Sequence, residues 1–244
     1  NIYPWGSQVF QKVIGYQGFI KGMMKCKARN KPFYLTEFGY WTPVPKLNPK
    51  DHWGMTYVPN EEEQARRLVR DSDTIYQMGL AGGALLSWAD NWVASAESFS
   101  PEIPKPPGYA NKDVHDMETI EWAGINSYDH DVKGSPRAAY FAIQKANKAI
   151  VTEPVSHLIY DRRIPVAVHV TEDVQKVELT VDGKPKAALL KASPSWFRGD
   201  WLEEDPKLAR HKIALRAFDS AGNLLHEVTL EVWSGKENRL PSLE

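Results

Sequence analysis

Apolar and polar positions follow two different periods along the chain. Up to about residue 150, short apolar runs alternate with segments of helical periodicity, which is typical of βα units that build a parallel sheet. Further on, apolar residues recur at every second position in four segments: 166–170, 177–181, 211–218 and 227–233. We therefore predict an α/β domain at residues 1–154 and a small antiparallel β-sandwich at residues 155–244.

Turn and cap residues define the elements of both regions. Asp182-Gly183 and the stretch Asp219–Asn223 separate strands of the second region, and such sequences favour tight turns. In the first region we predict a buried strand at 33–38, a helix from Asn60 to near Gly79, a buried strand at 80–88 and a helix from about 136 to 149. Asn60 with Glu63 resembles a capping box, and Ser135 is the expected cap of the last helix.

Composition and charge exclude several classes of function. With 244 residues, 42% of them hydrophobic, the chain can form one large core or two smaller ones. A net charge of −1 without a basic block argues against nucleic acid as a partner. The longest apolar run, 79–89, is shorter than the roughly twenty residues of a membrane-spanning helix. Cys26 is the single cysteine, so no intrachain disulfide forms.

Tryptophan is unusually frequent, with nine residues. Six lie in or beside segments that we interpret as loops: Trp5, Trp41, Trp53, Trp88, Trp92 and Trp122. Exposed indole rings can stack on the C–H faces of sugar rings, whose hydroxyl groups remain free to hydrogen-bond at the edges. Because a single tryptophan is more often structural, this pattern indicates an active site only where a catalytic group lies nearby.

Glu37 provides such a group, because it lies at the end of the first predicted strand. Parallel α/β enzymes keep catalytic residues at the carboxyl ends of their strands. A lone glutamate at a strand end is more often an ion-pairing or capping residue. The next predicted strand, however, ends in Ser87-Trp-Ala-Asp-Asn-Trp92 and should bring indole and carboxylate groups to the same edge.

Two segments in order resemble one enzyme clan. Asn-Lys-Pro-Phe-Tyr-Leu-Thr-Glu-Phe-Gly-Tyr at 30–40 resembles the seventh strand of retaining (β/α)8-barrel glycoside hydrolases, and Gly-Gly-Ala-Leu-Leu-Ser-Trp-Ala-Asp-Asn-Trp at 82–92 resembles their eighth. The opening Asn-Ile-Tyr-Pro resembles the end of the sixth strand, and 122–126 and 135–140 are similar to the closing segment. The resemblance implies the C-terminal part of a TIM barrel, strands six to eight. The second region resembles immunoglobulin-like modules of bacterial carbohydrate enzymes.

The resemblance also implies roles for individual residues. Glu37 corresponds to the catalytic nucleophile, Tyr3 to its hydrogen-bonding partner and Trp88 to the platform under the sugar that is cleaved. Three further substrate contacts are implied: Trp41, Asp90 and Trp92. The substrate would be an oligo- or polysaccharide with β-linkages, hydrolysed by double displacement without a cofactor.

A retaining mechanism needs a second carboxyl group about 5 Å from the nucleophile. In the clan this acid/base is a glutamate that follows an asparagine at the end of the fourth strand, and no segment of this sequence matches it. Asp90 could approach Glu37, but an acid at that place departs from the clan's pattern. Since a closed barrel needs eight strands, we expect upstream sequence or another chain to supply the remaining strands and the acid/base, and this chain alone to be inactive.

Several alternatives remain open at this stage. A non-catalytic carbohydrate-binding or scaffolding protein could keep the same barrel end with a degenerate site. His115, Asp116 and Glu118, like the Asp-His-Asp run at 129–131, are better explained as surface residues than as metal ligands, since none has the spacing of a catalytic zinc site. Three aromatic residues of the second region, Trp196, Phe197 and Trp201, could bind sugar, although burial against the barrel explains them better. We expect a secreted, periplasmic or envelope-associated protein.

Overall fold

The computed structural model describes residues 18, 20, 22, 32–40, 58, 60–89, 124–127, 135–156, 158–186, 188–203 and 209–235. The chain divides into two compact units, one made of residues 1–71 and 83–143 and the other of residues 72–82 and 144–244. The domain boundary between residues 154 and 155 stays a prediction.

The first unit contains a strand, a helix and a second strand that are consecutive among its described elements. Its elements are β1 Tyr34–Phe38, α1 Glu61–Gln77, β2 Gly82–Leu85, β3 Asn126–Ser127, β4 Ser135–Pro136 and α2 Ala138–Ala146. The ends of three of them belong to the second unit: α1 from residue 72, residue 82 of β2 and α2 from residue 144. Strand β1 pairs with β2, and β3 pairs with β4. The backbone N–H of Leu86 donates to the carbonyl of Phe38, at 2.9 Å, so the carboxyl ends of β1 and β2 meet as in a parallel βαβ unit.

Helix α1 begins where the sequence predicts. The backbone N–H of Glu63 donates to Oδ1 of Asn60 at 2.8 Å, which confirms Asn60 as the N-cap. The Glu63 carboxylate binds the guanidinium groups of Arg66 and Arg67. These two ion pairs lower the pKa of Glu63 to about 2. Asn60 therefore caps the helix, and the Glu63 side chain forms ion pairs along the helix and does not complete a capping box.

The start of α2 differs from the prediction. Ser135 is not its cap, because Ser135–Pro136 pairs with Asn126–Ser127 as an antiparallel two-residue strand. Proline disfavours helical dihedrals in the residue before it, which keeps Ser135 extended. The helix begins at Ala138, whose N–H donates to the Glu61 carboxylate at 3.4 Å. A side chain from α1 thus satisfies the first donor of α2.

The second unit contains a β-sandwich, as predicted. One sheet has the order β10-β11-β7-β5, and the other the order β6-β13-β12-β8-β9. The strands are β5 Ala149–Glu153, β6 Ile159–Tyr160, β7 Arg163–Val170, β8 Lys176–Val181, β9 Lys184–Pro185, β10 Leu190–Ser193, β11 Trp196–Leu202, β12 Ala209–Phe218 and β13 Leu224–Ser234. The pairs are antiparallel apart from β6 beside β13. Side chains of both sheets form one buried hydrophobic cluster.

The predicted turn sequences close the hairpins of this sandwich. Val181 pairs with Lys184, so Asp182 and Gly183 form a two-residue turn, with φ angles of 50° and 76°. Positive φ at both positions is what a type I′ turn requires, and aspartate and glycine tolerate it. The Asp219 side chain organises the other turn by accepting the backbone N–H groups of residues 221 and 223.

The aromatic residues of β11 are divided between core and surface. Phe197 and Trp201 are 3% and 4% exposed and belong to the hydrophobic cluster. Trp196, partly exposed, lies edge-to-face with His169 at 5.0 Å between ring centroids. Phe197 and Trp201 are therefore buried, but in the core of the sandwich itself, so the expectation that they pack against a barrel is wrong for these two residues.

The described residues are mostly β-sheet, and a closed (β/α)8 barrel is not evident in them. Within them, β1, α1 and β2 follow one another as strand, helix and strand. None of the described helices is long and apolar enough to cross a membrane.

Candidate functional site

Strand β1 carries Glu37 on the same face as a buried leucine. Side chains alternate along a strand, so Leu35 and Glu37 point to one side. Leu35 is 1% exposed, and Glu37 is partly buried one step closer to the strand end. The Glu37 side chain is therefore less buried than Leu35 and nearer the carboxyl end of the strand.

Gly39 lets the ends of β1 and β2 approach closely. A Cβ atom at this position would lie 2.0 Å from the carbonyl oxygen of Leu86, far inside van der Waals contact. Any other residue would push the two strand ends apart. The close approach of Leu86 thus explains why the Glu-Phe-Gly motif ends in glycine. It also shows that the segment after β2 lies beside the end of β1.

Trp88, two residues further along that segment, has a fixed backbone and an exposed ring. The carbonyl of Trp88 accepts the backbone N–H of Asn126 at 3.0 Å and its side-chain Nδ2 at 2.9 Å, and the carbonyl of Ser87 accepts the N–H of Ile125 at 3.1 Å. The indole is 66% exposed, and its edge-to-face contact with Tyr140 has a centroid distance of 5.6 Å. An exposed ring on a fixed backbone is suited to stack against a ligand.

A buried polar cluster follows Gly39 directly. The Tyr40 hydroxyl donates to the Asp71 carboxylate and accepts from Nη2 of Arg70 at 2.8 Å. Arg70 Nε also donates to Asp71 at 2.8 Å, and Asp71 is 2% exposed. Burial, followed by the charge of Asp71, raises the pKa of Tyr40, so its hydroxyl keeps its proton. Burial raises the pKa of Asp71 as well, while Arg70 and the tyrosine hydroxyl oppose that shift. The cluster ties the end of β1 to helix α1.

Arg137 holds the segment that lies beside Trp88. Its guanidinium donates to the carbonyl of Gly124 at 2.7 Å and pairs with Glu61 at 3.2 Å, and the side chain is 5% exposed. Its backbone N–H donates to the carbonyl of Ile125. Arg137 was not among the predicted site residues, although a basic residue directly before an apolar helix is a visible signal in the sequence.

Two of the six predicted site residues, Glu37 and Trp88, lie in described segments, at neighbouring strand ends. The other four lie outside the described residues: Tyr3, Trp41, Asp90 and Trp92. Their roles stay predictions. His115 and His130 also lie outside the described residues, so their interpretation as surface residues stays a prediction as well. Within the described ranges, no three His, Cys, Asp or Glu side chains are grouped so that they could hold a metal ion.

No protein-family model and no curated protein matches the chain. Solved structures similar to it include an endo-β-1,4-mannanase from Thermotoga petrophila, with 12% identity and a TM-score of 0.33 over 91% of this chain and 43% of the mannanase. A β-glucuronidase from Parabacteroides merdae has 15% identity and a TM-score of 0.37 over 96% of this chain and 28% of the enzyme. The fibronectin(III)-like modules of Clostridium thermocellum CbhA have 15% identity and a TM-score of 0.31 over 36% of this chain and 99% of the module.

These likenesses establish no family, because every TM-score is below 0.5. The chain also spans less than half the length of the two enzymes. Glycoside hydrolases are among the matched structures. Because these matches are weak, any function must be inferred from the residues of this chain.

Proposed function

We propose that this chain carries the nucleophile side of the active site of a retaining glycoside hydrolase that acts on a β-linked glycan. The observation that carries the proposal is the meeting of the carboxyl ends of β1 and β2 at Gly39 and Leu86. This contact supports placing the Glu37 carboxylate and the exposed Trp88 ring at one edge of the sheet, where parallel α/β enzymes bind substrate.

In the proposed reaction, the Glu37 carboxylate attacks the anomeric carbon while an acid protonates the departing glycosidic oxygen. The carbon–oxygen bond to the leaving group breaks, and an ester joins the sugar to Glu37. The same acid, now a base, takes a proton from water, which attacks the anomeric carbon and releases Glu37. Glu37 supplies only the nucleophile, and the acid/base is not assigned among the described residues. No cofactor takes part.

Trp88 is proposed as the platform beneath the sugar. A ring that is 66% exposed contributes little to a core, so its exposure favours a ligand-binding role. Tyr3 as the partner of Glu37, and Trp41, Asp90 and Trp92 as further contacts, complete the proposed site. The barrel portion at 1–154, the immunoglobulin-like character of the sandwich and export from the cytoplasm belong to the same proposal.

The test removes the nucleophile from the complete protein. Glu37→Ala should abolish turnover of an aryl β-glycoside, and azide should restore it by attacking the anomeric carbon in place of the carboxylate. The rescued product should be the glycosyl azide of inverted configuration, because only one displacement occurs. Turnover by Glu37→Ala without azide, at a rate near that of the wild type, would reject Glu37 as the nucleophile.

A second candidate function is non-catalytic carbohydrate binding, which the exposure of Trp88 favours. Glycan retention in affinity electrophoresis should then fall strongly in Trp88→Ala and stay unchanged in Glu37→Gln, with no turnover by the wild type. A catalytic protein instead loses turnover in Glu37→Gln while its folded structure is kept.

A further inference from the structure

Gln64 hydrogen-bonds to the segment that follows Glu37 and to the segment that pairs with the backbone of Trp88. Its side-chain nitrogen is 2.8 Å from the carbonyl oxygen of Tyr40 and 3.3 Å from that of Gly124. The residue is 0% exposed. One primary amide therefore donates both of its hydrogens to backbone carbonyls that are 84 residues apart along the chain, the first at residue 40 and the second at residue 124.

The orientation of this amide is fixed by chemistry. Both neighbours are carbonyl oxygens, which only accept, so the NH2 group must face them. Among the described residues the amide oxygen of Gln64 has no hydrogen-bond partner. Leaving a buried acceptor unpaired is unfavourable. The two donated hydrogen bonds are thus the reason for a glutamine at this buried position. If those bonds had no role, an apolar residue would be more favourable, because it would leave no acceptor unpaired.

Each of the two carbonyls belongs to a segment of the candidate site. Tyr40 follows Glu37 by three residues and is held by the Asp71 cluster. Gly124 precedes Ile125 and Asn126, whose backbone N–H groups donate to Ser87 and Trp88. Gln64 connects these segments through a single side chain on helix α1.

We propose that Gln64 is a positioning residue that fixes the spacing between the strand end bearing Glu37 and the loop bearing Trp88. The part that concerns turnover rests on the function proposed above. A sugar stacked on Trp88 must present its anomeric carbon to Glu37, and displacement by about 1 Å can lower a rate about a hundredfold. Gln64 touches neither substrate nor reacting atoms and acts through the backbone of both segments.

The test compares Gln64→Met with Gln77→Met in the complete protein. Gln77 is a matched control, because it is a buried glutamine on the same helix, 5% exposed, that donates to the carbonyl of Thr229 at 3.4 Å. Gln64→Met should lower kcat for an aryl β-glycoside tenfold or more, with a change in glycan affinity below about twofold. Gln77→Met should leave kcat within about twofold of the wild type.

Amide hydrogen exchange gives a readout that does not depend on activity. Gln64→Met should speed exchange of the Leu86, Ile125 and Asn126 amides about tenfold or more, whereas Gln77→Met should not change them. Gln64→Asn, which is too short to reach both carbonyls, should show the same pattern if the methionine variant does not fold.

The outcomes separate the two proposals. Unchanged exchange at these amides in a folded Gln64 variant overturns the positioning role, and so does kcat equal to that of Gln77→Met. A wild-type protein without glycoside turnover rejects the proposed function, while the exchange pattern still decides whether Gln64 joins the two segments.

Discussion

Replacing Gly39 by alanine should separate the carboxyl ends of β1 and β2. The new Cβ would lie 2.0 Å from the carbonyl oxygen of Leu86, and contacts below 3.0 Å are essentially never adopted. The two backbones must therefore move apart by about 1 Å. The hydrogen bond from Leu86 to Phe38, now 2.9 Å, would then exceed the range of a normal hydrogen bond.

The structure sets the size of this effect. Loss of one backbone hydrogen bond costs about 1 kcal/mol, and overpacking a close contact costs about 1–3 kcal/mol. We expect Gly39→Ala to lower the free energy of unfolding by roughly 2–4 kcal/mol, or the Tm by roughly 4–16 °C for a chain of this size. Turnover should fall about a hundredfold, because the strand ends that carry Glu37 and Trp88 shift by about 1 Å.

Urea unfolding followed by tryptophan fluorescence measures the stability, with exchange of the Leu86 amide as a local probe. Gly22→Ala is the control, because nothing lies within 4 Å of its Cβ and Gly22 is helical. This control should be neutral or stabilising by up to about 1 kcal/mol. A free energy of unfolding for Gly39→Ala within about 0.5 kcal/mol of the wild type would contradict the predicted separation of the strands, because loss of the hydrogen bond alone costs more.

Three further changes test single contacts by chemical denaturation. Asn60→Ala should cost about 1 kcal/mol by removing the helix cap, whereas Glu62→Ala, at an exposed position of the same first turn, should cost less than about 0.5 kcal/mol; equal losses would exclude the cap. Tyr40→Phe should cost about 1–3 kcal/mol because Asp71 loses a buried donor, and an unchanged midpoint would contradict that contact. Burial acts to raise the pKa of Asp182, but the hydrogen bonds it accepts from an imidazole and a backbone N–H outweigh burial and lower it. The stability that Asp182 contributes is therefore present above its unfolded pKa, near 4, and is lost as pH falls through the lower folded pKa. Asp182→Asn should have a lower free energy of unfolding than the wild type at pH 7, and this difference should vanish in acid.

Local signals in the sequence predicted much of the sandwich. Alternation located β7, β8, β12 and β13, and the turn Asp182-Gly183 fixed the register of its hairpin. Asn60 predicted the start of α1 because a helix cap needs only the residues beside it. Each of these signals depends on neighbours within a few positions, which the sequence shows directly.

Contacts that depend on distant residues were not predicted. Strand β5 was not predicted: Ala149 was taken as the end of a helix, and residues 150–153 were given no element, although Ile150, Val151 and Thr152 are β-branched. Its partner β7 lies further along the chain, so the pairing left no local signal. The pairing of Tyr40 with Asp71 spans 31 residues. Asp71 and Gln64 lie on the buried face of α1. Polar residues at positions where the helical pattern expects apolar ones could have indicated a buried hydrogen-bond network.

The place of β5 has a practical consequence for dissecting the protein. Ala149 and Val151 are 4% and 3% exposed within the sandwich core, and β5 covers one edge of β7. An expression fragment that starts at residue 155 would lack this strand and leave that edge open to pairing with other molecules. A fragment that begins upstream of Ala149 keeps the strand, so binding measurements on the sandwich should use the longer piece.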